Sequence, residues 1–464
     1  MPPNKKSLHL LSSSNNNAPP KRPVTPAGVN ARPILTPAGP GGSRVFSRSS
    51  LLWILYVPSF LLQVGVGMLI PVLPSFIEEM GVGVGLIGLG VSGVLIGTMV
   101  FDVPSGLLVG RFGHKQTMLV GTAALGLLAL VTAFTSSFAI FMVLRLLAGT
   151  AMALWSISRM AYVSDTVPSA ARGRTLATFG GVQRIGAFVG PVVGGIIGAQ
   201  ISLEAVFLAQ AGMSAATVLM LIAFTKELGG DRADQLIRQG RSSVMRTLVD
   251  NRLGLARGGT AMVSLQLVRR GRELLLPLWG THLGLEVDQI GYVIGAAAAV
   301  DMSMFAPVGY VMDKYGRKWM SIPSFLVLGA GMAMLPLTNE IWTFGAIAVF
   351  TGFGNGLSSG AMMTLGADLA PRQRASEFIG VWRLIGDIGG AAGPIIVGQI
   401  ATIVTLGWSS IFIAGFGFLG ATGVYVIVPE TLGGDEEMGL SNPPEDPGTA
   451  TTPVSSPGGG ETTD

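Results

Sequence analysis

Gly309-Tyr-Val-Met-Asp313-Lys-Tyr-Gly316-Arg317-Lys318 is a basic turn between two long apolar runs. An altered copy, Gly106-Leu-Leu-Val-Gly110-Arg-Phe-Gly113-His114-Lys115, stands 203 residues earlier (309 − 106). The same offset pairs Gln266 with Gln63, Pro277 with Pro74, Gly284 with Gly81 and Pro307 with Pro104. It also pairs Asp368 with Asp165, Pro371 with Pro168, and Gly393-Pro394 with Gly190-Pro191. No insertion interrupts the register from Gln63 to Pro191, so the chain reads as two copies of one unit.

That unit belongs in a membrane. Of 464 residues, 49% are hydrophobic and 12% charged, where a soluble domain carries about 25% charged residues. Mean hydropathy is +0.58. Apolar runs of the roughly 20 residues needed to span a bilayer are predicted near 51–77, 85–109, 116–135, 138–164, 175–200 and 203–225, then 257–283, 289–312, 319–338, 341–367, 378–403 and 408–429. The fold class is therefore all-α integral membrane, with twelve transmembrane helices in two pseudo-symmetric six-helix bundles, 51–225 and 257–429.

Lys and Arg outside the spans fall in alternate connections and the first tail, while the other connections carry Glu78, Glu79, Glu204, Glu286, Asp288 and Glu340. That bias places both termini in the cytoplasm. The pI near 9.5 thus reports topology, and no nucleic-acid partner is expected. With no cysteine and three histidines, neither a disulfide nor a dedicated metal site is expected.

Residues 1–50 are rich in Ser, Asn and Pro, without acid or an apolar core. They read as a disordered cytosolic tail, with an organellar transit peptide as the alternative. Residues 226–256 read as a cytosolic linker and 430–464 as a disordered acidic tail. Gly83-Val-Gly85-Leu-Ile-Gly88 matches a dinucleotide fingerprint in spelling but follows no strand, so it reads as close helix packing.

Two six-span repeats, a basic turn after the second span of each and a polar linker resemble the major facilitator superfamily over about residues 51–430. The second turn matches the family pattern in full, with Asp313, Lys314, Arg317 and Lys318; the first departs, with Gly110 in place of Asp. The resemblance implies a cytoplasmic gate in which each turn meets the other half. By the offset, Glu377 corresponds to Arg174 (377 − 203), so Arg111 is expected to face Glu377, and Asp313 to face Arg174. Gly186-x-x-x-Gly190-Pro191-x-x-Gly194-Gly195 in the fifth span and Arg145-x-x-x-Gly149 in the fourth resemble motifs of the family's proton-coupled drug and metabolite antiporters. Gly393-Pro394 in the eleventh span equally supports plain small-residue packing.

Arg145, Arg159, Arg184, Arg269, Arg270, Arg272 and Arg383 lie inside spans, with Asp102, Glu273, Asp301 and Asp387. Each costs about 2.5–3.5 kcal/mol at the bilayer centre, so they must face a wet chamber or one another. Gln266, Arg269, Arg270 and Glu273 share one helical face; Tyr56, Ser59 and Gln63, then Arg145, Met152 and Arg159, then Thr351, Asn355, Ser358 and Met362 form three more. The resemblance makes these helices the lining of a central cavity.

The candidate substrate-binding residues are therefore Gln63, Arg145, Gln266, Arg269, Arg270, Glu273 and Asn355. Asp301, Arg145 and Asp387 are candidates for proton coupling, and Arg383 is expected to pair with Asp387 one turn away. Arg111, Arg174, Asp313, Lys314, Arg317 and Glu377 form the candidate gate. Excess Arg favours an anionic or zwitterionic substrate. Expected is a monomeric secondary transporter of a small organic compound, proton-coupled and exporting, in the plasma or an organellar membrane. The alternatives are an importer or symporter of an organic anion and a non-transporting sensor or scaffold. No phosphate loop or nucleophile motif appears, so neither an enzyme nor a cofactor is expected.

Overall fold

The computed structural model describes residues 51–225, 252–371 and 375–427. The readings of 1–50 and 430–464 as tails, and of 226–251 within the linker, lie outside the described residues. The first half comprises α1 (Leu52–Glu78), α2 (Val84–Phe112), α3 (His114–Thr132), α4 (Phe138–Thr166), α5 (Ser169–Gln200) and α6 (Leu203–Phe224). The second comprises α7 (Arg252–His282), α8 (Val287–Ser303, resuming as Phe305–Tyr315), α9 (Lys318–Met334), α10 (Ile341–Leu357, resuming as Ala361–Asp368), α11 (Ala375–Ile403) and α12 (Leu406–Val426). Twelve crossings return the chain to the face on which it began, called here the terminal face; the opposite side is the loop face.

The duplication is visible atom by atom. His114 Nε2 meets Asp165 Oδ2 at 2.9 Å, and their equivalents Arg317 Nε and Asp368 Oδ2 meet at 3.1 Å. Ser202 caps α6 by accepting from the Ala205 N–H at 3.2 Å, and Thr405 caps α12 by accepting from the Trp408 N–H at 3.3 Å. Left-handed glycines recur in pairs: Gly81 with Gly284, at φ 74° and 75°, and Gly113 with Gly316, at 83° and 100°. Each gives the chain a turn that a Cβ would oppose.

Between the halves the same contact is made twice near the loop face. A Cβ on Gly291 of α8 would stand 2.5 Å from the Pro191 carbonyl oxygen of α5. One on Gly88 of α2 would run into the equivalent oxygen of Pro394 in α11. Ser92 adds a hydrogen bond to the Ala391 carbonyl at 2.8 Å. Toward the terminal face the same four helices part: Gly106, Gly180, Gly309 and Gly380 have nothing within 4 Å of where a Cβ would project. The halves are therefore closed on one another near the loop face and leave open space at these four glycines toward the terminal face.

Among the described residues, ten helices are long and apolar enough to cross a membrane by length and composition. The other two of the twelve, α7 and α10, miss for reasons that matter. Arg269, Arg270, Arg272 and Glu273 crowd the middle of α7. The expected run 341–367 is broken in α10 at Ser358 and left-handed Gly360, φ 80°. Gly360 is the left-handed glycine without a duplicate, because its equivalent, Ile157 (360 − 203), sits inside unbroken α4. Beside it α8 breaks at Met304, three residues before Pro307, whose ring and missing N–H disfavour a continuous ladder.

Candidate functional site

Both breaks meet at one polar cluster halfway through the bundle. Arg184 reaches out of α5 and donates from Nη1 to Asp301 Oδ1 of α8 at 3.2 Å. Its Nη2 donates to Ser359 Oγ of α10 at 2.8 Å, and its guanidinium lies 4.9 Å above the Phe305 ring. All three partners belong to the second half. Asp301 Oδ2 accepts from Asn355 Nδ2 at 3.1 Å, so both carboxylate oxygens are engaged. Arg269 of α7 donates to Ser358 Oγ at 2.6 Å and to the Asn355 carbonyl oxygen at 3.2 Å. A cation thus closes the carbonyl end of a broken helix, where the macrodipole is negative.

One face of α7 supplies the rest. Arg270 pairs with Glu273 at 2.7 Å, and Arg272 donates to the Thr351 hydroxyl at 3.3 Å. Among the described residues, Arg269 and Arg272 each keep a buried Nε–H without a partner, and Asn355 Oδ1 is a buried acceptor without a donor. Broken helices whose freed backbone and hydroxyl groups line a polar centre are what membrane solvation demands of a site at this depth.

Of the sequence-derived substrate residues, Arg269, Arg270, Glu273 and Asn355 converge here, as does Asp301. Gln63 packs against α5, where a Cβ on Gly186 would touch it at 2.9 Å. Gln266 is half-buried one turn before Arg269. Arg145 lies apart against Gly93 of α2, its Nε buried without a partner. Arg184 and Ser359 were missed as site residues. The charge of Arg184 inside an apolar span was the available signal, whereas Ser359 gives none before α10 is known to break.

The expected direct pair Arg383–Asp387 is not made among the described residues. Arg383 is exposed toward the open end and feels Asp102 of α2 as well as Asp387. A hydrated guanidinium gains little from closing one such pair. Arg159 is buried, 8% exposed, and pairs with no carboxylate among the described residues; its guanidinium lies 4.2 Å over Phe179 and 5.4 Å over Trp155.

At the terminal face Arg111 and Arg174 are exposed, and Lys314 lies over Tyr310 and Tyr315 at 5.9 and 5.2 Å. Arg317 binds Asp368 and the Met312 carbonyl within its own half. The side chains of Asp313 and Glu377 lie outside the described set, and the two expected latches with them. The glycines of α5 do packing work: Gly190 and Gly194 lie on Gly67 and Met68 of α1, as equivalent Gly393 lies on Leu267 of α7.

The repeated six-helix halves and the charged chamber between them define a membrane transporter. The Major Facilitator Superfamily profile matches residues 55–272 and 273–451, and the chain belongs to that family. It is a transporter and not an enzyme. Over 385 residues it is 23% identical to the multidrug resistance protein MdtG of Citrobacter koseri, covering 81% of this chain and 93% of that one. Over 405 residues it is 24% identical to a Na(+), Li(+), K(+)/H(+) antiporter of Planococcus maritimus, covering 78% and 92%. The crystal structure of a D-xylose-proton symporter superposes with a TM-score of 0.69 at 15% identity, covering 82% and 98%.

Proposed function

We propose that the protein is a proton-coupled secondary transporter that exports a small organic compound by alternating access, with both termini in the cytoplasm. The observation that carries this reading is the Arg184–Asp301 bridge, an ion pair that ties one half to the other beside the breaks in α8 and α10. In alternating access the halves rock about a central site. A bridge across that site makes the rocking answer to whatever neutralises either partner. A proton on Asp301 removes the charge that holds Arg184 and so loosens the tie. The relatives named for multidrug resistance and for cation/proton antiport support export.

A second reading, uptake of an organic anion together with protons, is favoured by the guanidinium groups of Arg269 and Arg272, which no carboxylate pairs. Proteoliposomes with an imposed pH gradient separate the two. An exporter of the proposed kind moves substrate against the proton flux, and an anion symporter moves it with that flux. Flux indifferent to the gradient would contradict both.

A further inference from the structure

We infer that the chamber is built to receive an organic anion carrying two negative charges, held by Arg269 and Arg272. The inference rests on reading the cluster as the transport site and is independent of the direction of transport. Arg269 lies within electrostatic reach of three other guanidinium groups, those of Arg184, Arg270 and Arg272, and the four surround two carboxylates, Asp301 and Glu273. The surplus is two positive charges. Asp387 and Asp102 both feel Arg383, Asp387 also feels Arg270, and Arg159 lies within reach of Arg383, so counting these four groups as well (six Arg against four acids) leaves the surplus at two.

The surplus sits on particular residues. Arg184 is satisfied by Asp301 and Arg270 by Glu273, while Arg269 and Arg272 touch only neutral oxygens of α10. A guanidinium offers five N–H donors in a fork that fits carboxylate or phosphate oxygens. Arg269 spends one nitrogen, Nη2, and Arg272 one, Nη1, and both Nε–H groups are buried and unanswered. Uncompensated charge at this depth is costly, so the site gains most from a ligand that brings the missing acceptors. A lipophilic cation would add to the surplus instead. Asn355 Oδ1, buried without a donor, sets a further requirement: the ligand should carry a hydroxyl or N–H beside its anionic groups.

The absence of cysteine makes the sign of the chamber measurable without knowing the substrate. In a Gln266→Cys variant, reaction rates with an anionic sulfonatoethyl and a cationic trimethylammonioethyl methanethiosulfonate are compared, each normalised to its rate with free thiol. The expected result is at least a tenfold preference for the anionic reagent, reduced by Arg269→Gln and again by Arg272→Gln. Succinate should slow the anionic reagent more than acetate does at equal ionic strength. A preference for the cation overturns the inference, and equal slowing by succinate and acetate overturns its two-charge part. A cysteine that neither reagent reaches would instead remove the reading of this cluster as a transport chamber.

Discussion

Arg184 and Asp301, 117 positions apart in sequence, meet at 3.2 Å and form an ion pair between the two halves at mid-depth. Their side chains are 23% and 20% exposed, so the pair is neither dry nor freely hydrated. Removing one partner of a buried pair costs about 3–5 kcal/mol, and partial exposure places this pair at about 2–3 kcal/mol. Arg184→Gln and Asp301→Asn should each lower thermal stability and abolish coupled flux. Arg184→Asp combined with Asp301→Arg should recover stability, measured by thermal unfolding in detergent. A double variant no more stable than the worse single one would contradict the pairing.

The duplicated glycine contacts make a second expectation. A methyl group on Gly88 meets the Pro394 carbonyl, and one on Gly291 meets that of Pro191. Overpacking typically costs about 1–3 kcal/mol. Gly88→Ala and Gly291→Ala should therefore destabilise by similar amounts. Both should also shift the population away from the conformation closed at the loop face, read as greater labelling of a cysteine placed at Ser92.

Much of this was legible in the sequence, for identifiable reasons. A fixed register of Gly, Pro and charged residues marks duplication because each such residue answers a backbone or solvation demand that both copies share. Gly81 and Gly284 were matched by offset, and their φ angles agree within a degree. Charge inside apolar runs likewise pointed to the chamber, because hydrocarbon does not tolerate it. The sequence was silent where symmetry fails. Nothing local announces that α10 breaks at Gly360 while its counterpart α4 continues, since Ser358-Ser359-Gly360 is also compatible with an intact helix packed on a neighbour. The partner of Arg184 was equally hidden, because it depends on how one half docks on the other.

At the terminal face, the proposed gate pairs Arg111 with Glu377 and Arg174 with Asp313 when the chamber closes there. Arg174→Asp should impair transport several-fold, and Arg174→Asp with Asp313→Arg should restore most of it. The readout is initial flux at matched surface expression. If the double change is as inactive as the single one, the latch is wrong.

Glu79, in the connection after α1, has its carboxyl raised above the ordinary glutamate range by burial first and then by the charge of Glu204. A raised acid holds its proton more tightly folded than unfolded. Its ionisation therefore costs stability at high pH and costs nothing once pH falls below the unfolded value. Glu79→Gln should raise the melting temperature slightly at neutral pH, and the difference should vanish as pH is lowered toward 4. A difference that grows on acidification would contradict the assigned cause.

The most direct test of two halves rocking about the Arg184–Asp301 site is a pair of distances in one protein. Phe112 and Tyr315 are equivalent exposed positions (315 − 203) on the terminal face, 48% and 51% exposed. Ile201 and Val404 are equivalents (404 − 203) on the loop face, 73% and 55% exposed. With no native cysteine to remove, spin labels at each pair report the separation of the halves at either face by pulsed electron resonance. Asp301→Asn, which mimics the protonated carboxyl, should shorten the Phe112–Tyr315 distance and lengthen the Ile201–Val404 distance together. Distances that stay fixed, or that lengthen at both faces, would contradict rocking about this site.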